Sequence, residues 1–466
     1  MTKLNFTNAL RLTHVTAAMA LAGALGACSF IPAYERPAAP VAATFPGAAA
    51  ATGQVAASDL AWQDFFADAR LKKLIEIALT NNRDLQVAVL NISRAQAQYQ
   101  IQRAAQFPAV NGALGGQRQA RTADVYTLGV GITSFELDFF GRLQSLKEAT
   151  LAQYLSTEES RKTVQISLIA AVANTYLSML ADDQLLALTR DTLNTREQSF
   201  KLSKLRFDNG VTSELDLRLA QGLVEGARAN LAQLQRQRAQ DENALVLLLG
   251  QSLPADLPVA GQLGTQSQML KDVPAGLPSD LLNRRPDIRA AEQQLLSANA
   301  NIGAARAAFF PRISLTASVG KVSSELGNLL SGGTGWAFAP QLVVPLFNMG
   351  ANQANLEAAK ITRQITVAQY EKAIQIAFRE VADALAGSST LGEQYRATQA
   401  QVDAAQASYK LSDLRYSGGV ASYLDLLDAQ RSLYVAQQSA IQVQLAQLQN
   451  QVTLYKTLGG GWTSTP

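Results

Sequence analysis

"KLRFDNGVTSELDLRLAQ", residues 204–221, and "DLRYSGGVASYLDLLDAQ", residues 413–430, are near copies of one another in a single chain. The copies lie 209 residues apart with no gap (413 minus 204). Each one passes from helical composition through a glycine-containing turn, at Gly210 or Gly419, and back to helical composition. The pattern predicts two helical hairpins with tips near residues 210 and 419. A function of this chain must therefore account for two equivalent tips.

The repeat extends over most of the chain. Gly141 and Gly350 match at the same separation, whereas Phe107 and Phe310 match at 203 residues, so the second copy has six extra residues between these points. We therefore predict two tandem halves. The predicted segments are a signal peptide 1–27, an extended tether 28–60, a first repeat 61–252 with a β-hairpin at 107–140, a connector 253–278, a second repeat 279–459 with a β-hairpin at 310–347, and a C-terminal tail 460–466.

Short segments of each half alternate with a period of two. In the first half the apolar positions Tyr126, Leu128, Val130 and Ile132 are separated by Thr or Gly, and the second half repeats the pattern from Ile313 to Val319 with Ser and Thr. This alternation is typical of strands with one apolar and one polar face. Each half is thus expected to contribute one β-hairpin, or four strands per chain.

The runs that follow Gly141 and Gly350 contain no proline for more than sixty residues. Helices of that length would extend roughly 100 Å at 1.5 Å per residue. The returning helix after Tyr423 has two apolar stripes, one through Leu427 and Tyr434 and one through Leu426 and Leu433. Two stripes indicate neighbours on both sides. A single wide stripe in a simple coiled-coil hairpin is the alternative.

The N-terminus has the features of a secretory signal. Lys3 and Arg11 precede the short apolar segment "VTAAMALAGAL", and "LGACS", residues 25–29, resembles the bacterial lipobox, in which Cys28 is lipidated after cleavage. Cys28 is the only cysteine, and the only histidine, His14, is removed with the signal. Ser–His triads, cysteine nucleophiles and His or Cys metal sites are excluded by this inventory. Neither a metal nor a cofactor is expected.

Lys and Arg total 40 against 37 for Asp and Glu, a near balance that argues against nucleic acid as a partner.

After the signal, no stretch approaches eighteen consecutive apolar residues, so no transmembrane helix is predicted. Strands can cross a membrane only in a closed sheet, and known barrels begin at eight strands. Four strands per chain would therefore require several chains to share one barrel. A four-stranded sheet in a soluble periplasmic protein is the alternative.

Several motifs resemble one family, the TolC-like outer-membrane factors, and more narrowly its lipoprotein (NodT-type) branch. They are "FELDFFGR" from Phe135, "RRPDIRAAEQQLLSANANIGAARAAFFPRISL" from Arg284, "PLFNMG" from Pro345, "YLDLLDAQRSLY" from Tyr423 and "LYKTLGGGW" ending at Trp462. The resemblance covers the chain almost end to end.

The resemblance implies a mainly α-helical fold with a small β part. It implies a homotrimer, with a twelve-stranded outer-membrane β-barrel continued by a long periplasmic α-helical barrel and with the connector 253–278 in the equatorial region. It also implies two partners, an inner-membrane resistance-nodulation-division pump and a periplasmic adaptor protein. The trimer would present six hairpin tips for the adaptor to grip, at Gly210, Val211, Gly418, Gly419 and Val420.

The resemblance further implies a periplasmic gate at the second tip. Asp425 and Asp428 fall on the aspartates of the entrance constriction, Leu424 and Arg431 on neighbouring gate positions, and Tyr416 on a tether between helices. The first copy has Asp216 at the position of Asp425 but Leu219 at the position of Asp428, so the copies are expected to divide their roles. Some relatives carry an arginine where this chain has Ala421, so that latch is not expected here.

The sequence predicts a passive outer-membrane duct for drugs and other small molecules, located in the outer membrane, anchored by lipid and extending into the periplasm. Two alternatives are a duct for protein secretion and a lipid-anchored structural coiled coil that conducts nothing. An enzyme based on paired carboxylates is the weakest alternative, because no acid pair lies in a recognisable pocket motif.

Overall fold

The computed structural model describes residues 29–45, 57–118, 120, 123–266, 270 and 278–462. The predicted signal peptide 1–27 and Cys28 lie outside the described residues. So do part of the predicted connector and the last four residues of the predicted tail.

Long helices dominate the described chain. The main elements are α1 (Ala69–Asn81), α2 (Arg83–Ala104), β1 (Val110–Gln117), β2 (Val125–Leu137), α3 (Arg142–Asp208), α4 (Glu214–Leu249), α5 (Pro286–Ala307), β3 (Arg312–Ser323), β4 (Gly333–Val343), α6 (Ala351–Ser417) and α7 (Tyr423–Thr457). Shorter helices span Trp62–Phe65, Leu263–Gln266 and Pro278–Arg284, and single 3₁₀ turns span Ala57–Asp59 and Leu326–Asn328.

Contacts between residues divide the chain into two compact units. The first unit contains the described residues of Met1–Ala39 together with Leu90–Glu159 and Ala290–Ala373. The second contains the described residues of Pro40–Val89, Ser160–Arg289 and Ile374–Pro466. Each unit takes segments from both sequence repeats, so neither repeat forms a unit by itself.

The first unit holds a four-stranded antiparallel sheet in the order β1-β2-β3-β4. Each repeat contributes one hairpin, and the two repeats join where β2 pairs with β3 from Tyr126–Ser323 to Leu137–Ile313. The register shifts between Ile132 and Phe135, the sign of a β-bulge. Among the described residues β1 pairs only with β2 and β4 only with β3, so both strands are open edges of the sheet.

The register places the apolar positions of all four strands on one face. Val130 lies opposite Val319, which lies opposite Trp336, and Ala317 lies opposite Phe338. In the single chain eight large apolar side chains of this face are exposed, namely Val110, Leu114, Leu128, Val130, Val319, Trp336, Phe338 and Leu342. Trp336 is 80% exposed. The sheet therefore has an apolar face that the described part of its own chain does not cover.

An N-terminal strap, residues 29–36, lies along α5 in the same unit. Arg36 donates from Nε and Nη2 to the two carboxylate oxygens of Glu292 at 2.7 and 2.8 Å, and Tyr34 donates its hydroxyl to Glu292 at 3.0 Å. At the other end of the strap the ring of Phe30 stacks on Phe310, with centroids 4.7 Å apart. The strap has no helix or strand, yet its side chains are bound at both ends.

The Arg-Arg-Pro-Asp motif at the start of α5 belongs to the second unit. Arg285 is 7% exposed and donates to Asp287 at 2.6 Å, to Glu380 at 2.9 Å and to the carbonyl oxygen of Thr457 at 3.0 Å. One buried guanidinium thus connects the start of α5 to α6 and to the end of α7. Its charge is compensated by two carboxylates, as burial requires.

Most residues of both apolar stripes of α7 are buried in the second unit, as two neighbours require. Tyr434 of one stripe shares a 2.8 Å hydrogen bond with Thr189 of α3. Asn450 donates to the carbonyl oxygen of Ala384 of α6 at 2.9 Å. A single stripe is therefore not the packing used here.

Among the described residues, α3 contains an 18-residue window of mean hydropathy 1.5, but 67% of that window is buried inside the chain.

Candidate functional site: the tips of the two helical hairpins

The two hairpin tips, both in the second unit, have the same backbone geometry. Gly210 and Gly419 each have φ of 74°, in the left-handed region. The following amides, those of Val211 and Val420, donate to the carbonyl five residues earlier at 2.8 and 2.9 Å. This is the Schellman pattern that ends a helix, and glycine adopts its left-handed residue without strain. The doubled sequence thus encodes two identical helix stops.

The returning helices also begin alike. Ser213 caps α4 and Ser422 caps α7, each accepting a hydrogen bond at 3.2 Å from the amide three residues later, that of Asp216 or Asp425. Asp425 completes a capping box, because its carboxylate accepts from the Ser422 amide at 3.1 Å. In the first copy, hydrogen bonds to the carboxylate from the side chains of Thr212 and Ser213 lower the pKa of Asp216. Asp425 is therefore a helix cap as well as a predicted gate residue.

A hydrophobic cluster joins the two hairpins behind the tips. Its buried members are Ala220 and Leu223 of α4 with Tyr423, Leu426 and Leu427 of α7, and Phe200, Leu219, Tyr409 and Tyr416 pack against it. Leu219 occupies the position that Asp428 has in the second repeat. An acid there would be pressed against this apolar cluster, which gives a physical reason for the difference between the copies.

Tyr416, predicted to be a tether, contacts an arginine of the other hairpin. Arg206 donates from Nη1 to the Tyr416 hydroxyl, and its guanidinium carbon lies 5.1 Å from the centre of the tyrosine ring. The Tyr416 ring in turn lies 5.3 Å from the ring of Tyr423. The contact connects the last turn of α3 to the last turn of α6.

Sequence reasoning missed Arg206. Its equivalent in the second repeat is Arg415 (415 minus 206 is 209), and Arg415 is exposed. One difference between the copies could have indicated the contact. The residue after the arginine is Phe207 in the first copy and Tyr416 in the second, and only the tyrosine has a hydroxyl that can accept a hydrogen bond.

The other predicted gate residues lie on the first turns of α7. Arg431 donates to Asp428 at 3.3 Å, and both side chains are largely exposed, 46% and 63%. Leu424 is 49% exposed. The structure thus brings Asp428 together with Arg431, whereas Asp425 is bonded to its own cap.

Both tips present apolar side chains at matching positions. Val211 and Val420 are 73% and 70% exposed, and Leu205 and Leu414 are 60% and 61% exposed. Gly418 adds a residue without a side chain next to the second stop. A contiguous exposed apolar patch marks a surface that contacts another protein, whereas apolar side chains exposed singly are normal.

Comparison with known proteins gives consistent matches along the chain. A family model described as outer membrane efflux protein matches residues 74–251 and 277–460. The antibiotic efflux pump outer membrane protein ArpC of Pseudomonas putida is 49% identical over 454 residues, covering 94% of this chain and 93% of the relative. The toluene efflux pump outer membrane protein TtgC of Pseudomonas putida gives the same values.

A solved structure shares the fold. It is the open state of the MtrE outer membrane channel of Neisseria gonorrhoeae, with a TM-score of 0.86 and 42% identity, covering 93% of this chain and 99% of that one. The matches confirm the predicted resemblance, the mainly helical fold with a small sheet, and the outer-membrane location. This chain belongs to the outer membrane efflux protein family and is the outer-membrane channel of an efflux system.

Proposed function

We propose that three copies of this chain form one conduit, in which twelve strands close a β-barrel and the long helices continue it into the periplasm. The observation that carries this proposal is the sheet, which has an uncovered apolar face and two open edges. In lipid every backbone amide and carbonyl must find a partner. A second and a third copy can supply them, with β4 of one chain pairing with β1 of the next.

The conduit is passive, and its substrates are small molecules delivered by an inner-membrane resistance-nodulation-division pump through a periplasmic adaptor. Two relatives that are each 49% identical are named for antibiotic and toluene efflux, which supports drugs and small apolar molecules as the substrate class. The adaptor contacts the tips at Gly210, Val211, Gly418, Gly419 and Val420. Neither name mentions protein secretion, and the family's members are channels rather than enzymes.

Cys28 anchors the mature chain to lipid, and the strap supports this assignment. Phe30 stacks on Phe310, which precedes β3 by two residues. The ring of Phe140 stacks on the other side, with centroids 4.9 Å apart. Phe30, which follows Cys28 by two positions in the sequence, is therefore fixed beside the start of the sheet.

The gate lies at the second tip and uses Asp425, Asp428, Leu424, Arg431 and Tyr416. Three chains would bring six carboxylates around one opening. Unit charges 4 Å apart interact by about 1 kcal/mol in water and about 4 kcal/mol at an effective dielectric of 20. Arg431 reduces this repulsion by pairing with Asp428, and the Arg206–Tyr416 contact holds the two tips of each chain together.

The assembly is expected to be an obligatory trimer whose apolar sheet face contacts lipid. Purified protein should have the mass of three chains by sedimentation in detergent, and only this species should conduct in planar bilayers. Phe338→Lys places a charge on the apolar face and should reduce the amount of assembled channel, since such changes cost about 2–4 kcal/mol at mid-bilayer. Ala339→Lys, on the opposite face, is the matched control. A conducting monomer, or equal loss in both variants, would contradict the proposal.

Acylation is checked by mass spectrometry of the mature N-terminus. The wild type should begin at Cys28 and carry the mass of attached acyl chains. More than one chain is expected, because a single acyl chain binds a membrane only marginally and several bind firmly. Cys28→Ser should remain unmodified, whereas Ser29→Ala should be processed like the wild type. An unmodified mature chain that begins at another residue would remove Cys28 from the proposal.

Cation block tests the acid ring by single-channel recording. Asp425→Asn with Asp428→Asn keeps side-chain shape, and the double variant should lose most of the cation selectivity and of the block by trivalent cations added from the periplasmic side. Asp216→Asn, the equivalent change in the first repeat, should leave both unchanged. Unchanged block in the double variant would place these acids away from the entrance.

Resting conductance tests the tether. A hydrogen bond from a charged donor contributes about 1.5–3 kcal/mol, so Arg206→Gln should raise the open fraction of the resting channel roughly tenfold. Tyr416→Phe should have a smaller effect, because its ring still faces the guanidinium. Arg415→Gln, the exposed equivalent, should behave like the wild type. If Arg206→Gln and Tyr416→Phe both have the resting conductance of the wild type, the tether has no role in gating.

A further inference from the structure

The two sequence repeats meet inside one chain along a seam in the first unit, which we call the internal seam. Its sheet part is the pairing of β2 with β3. Next to the sheet the ring of Phe140 stacks on that of Phe310, with centroids 4.9 Å apart. Between the helices the hydroxyl of Ser156 of α3 donates to the carbonyl oxygen of Ala290 of α5 at 2.9 Å. The first repeat thus contributes β2 and α3 to the seam, and the second contributes α5 and β3.

The equivalent positions on the other side of each repeat are exposed in the single chain. Met349 (140 plus 209) and Phe107 (310 minus 203) are equivalent to the two stacked rings. Ile365 (156 plus 209) and Val87 (290 minus 203) are equivalent to the two helix positions. All four side chains are exposed, whereas both helix positions of the internal seam are buried. The equivalents of β2 and β3 are β4 and β1, the two open edges of the sheet among the described residues.

The exposed positions next to the sheet form apolar surface at both edges. The turn after β4 exposes Leu346, Phe347 and Met349, and the turn before β1 exposes Phe107. A contiguous exposed apolar patch marks a surface that contacts another protein. Two strands separate β1 from β4, and four strands do not close a barrel, so one chain does not bring its own two surfaces together.

The internal seam identifies the occupant of each surface. The β2 side of the first repeat binds β3 and Phe310 of the second repeat. The β4 side is equivalent to the β2 side, so its partner should be the equivalent of β3 and Phe310, which is β1 with Phe107. A second copy of this chain presents that surface. The contact joins two different surfaces head to tail, and such contacts close into a ring when the rotation between copies permits it.

The internal seam also predicts the register between copies. Phe135 of β2 lies opposite Leu315 of β3. The same separations carry this pair to Val344 (135 plus 209) and Gly112 (315 minus 203). Val344 of one copy should therefore lie opposite Gly112 of the next.

The faces of the strands agree with this register. Two residues from the pair Val344 and Gly112, antiparallel pairing places Leu342 opposite Leu114, and both of these side chains are exposed on the apolar face. A slip by one residue would place Gln341, which is on the other face, opposite Leu114. The regular register keeps apolar side chains together, so the bulge of β2 is not expected in β4.

We propose that the β4 side of the second repeat binds the β1 side of the first repeat in another copy, with Leu342 opposite Leu114 and Met349 packed against the ring of Phe107. This interface rests on the trimer proposed above, and it adds which surfaces meet and in which register. Methionine sulfur contacts aromatic rings favourably. The aromatic stack of the internal seam thus has a sulfur–ring counterpart between copies.

Disulfide cross-linking of the full-length protein in membranes tests the register, which places Val343 opposite Ala113. Directly opposed Cα atoms are about 4.5–5.5 Å apart, a distance that a disulfide can bridge. Val343→Cys combined with Ala113→Cys should give a covalent trimer after mild oxidation. Neither single variant should do so, which controls for links through Cys28, the only native cysteine. Gln341→Cys with Ala113→Cys is the matched control and should cross-link about tenfold less, because such diagonal residues are about 7–8 Å apart.

Coupling between two substitutions tests the contact next to the sheet. Met349→Ala and Phe107→Ala should each lower the temperature at which the trimer dissociates in detergent. Together they should lower it by less than the sum, because residues in contact are energetically coupled. Val259→Ala, at an exposed apolar position outside the seam, is the matched control, and its effect should add to that of Met349→Ala.

The possible failures are distinguishable. If the purified wild type is a monomer, the proposed trimer and this interface are both wrong. If it is a trimer but the control pair cross-links better than Val343→Cys with Ala113→Cys, the register is wrong and the trimer stands. The same conclusion follows if neither pair cross-links although both thiols react with a maleimide. Additive effects of Met349→Ala and Phe107→Ala would exclude the contact between these two side chains.

Discussion

The backbone amides and carbonyls along β1 and β4 set the main constraint on this protein. A four-stranded sheet with two open edges cannot be stable in lipid, because the membrane offers these groups no hydrogen-bonding partner. The apolar face of the sheet cannot be stable in water either, since side chains such as Trp336 and Phe338 are exposed in the single chain. Both problems have one solution, which is closure with further copies in a membrane. Assembly from several chains is thus a requirement of the strand count.

Duplication explains how one sequence supplies both a sheet and two hairpin tips. The two copies retain the residues on which backbone geometry depends, the glycine at each helix stop and the serine at each helix start. They differ where side chains meet other groups. Leu219 packs on the cluster between the hairpins, whereas Asp428 is exposed and paired with Arg431. The copies are therefore alike at the positions that set backbone geometry, and they differ at positions where the side chains have different surroundings.

Charge is handled differently at three places in the second unit. Arg285 is buried but compensated by Asp287 and Glu380, so it serves as a structural junction. Asp425 is exposed and also caps α7, which means that removing its carboxylate changes helix stability together with charge. Arg196 is buried, and no acid among the described residues pairs with it, so its guanidinium rests on the Leu223 carbonyl oxygen and the Tyr434 ring instead.

The amino-acid sequence by itself determined the repeat, the two helix stops, the alternation of the strands and the family, because these depend on local periodicity and on residues such as Gly210 and Gly419 whose conformational preferences act within a few positions. By resemblance it also predicted that the acids of the second tip, Asp425 and Asp428, belong to a gate. Only the tertiary structure showed that Arg206 reaches Tyr416, that Leu219 packs on the cluster between the hairpins, and that Arg285 joins Asp287 to Glu380. These facts depend on which helices lie side by side, and contacts between residues about 200 positions apart in the chain leave no periodic signal in a single sequence.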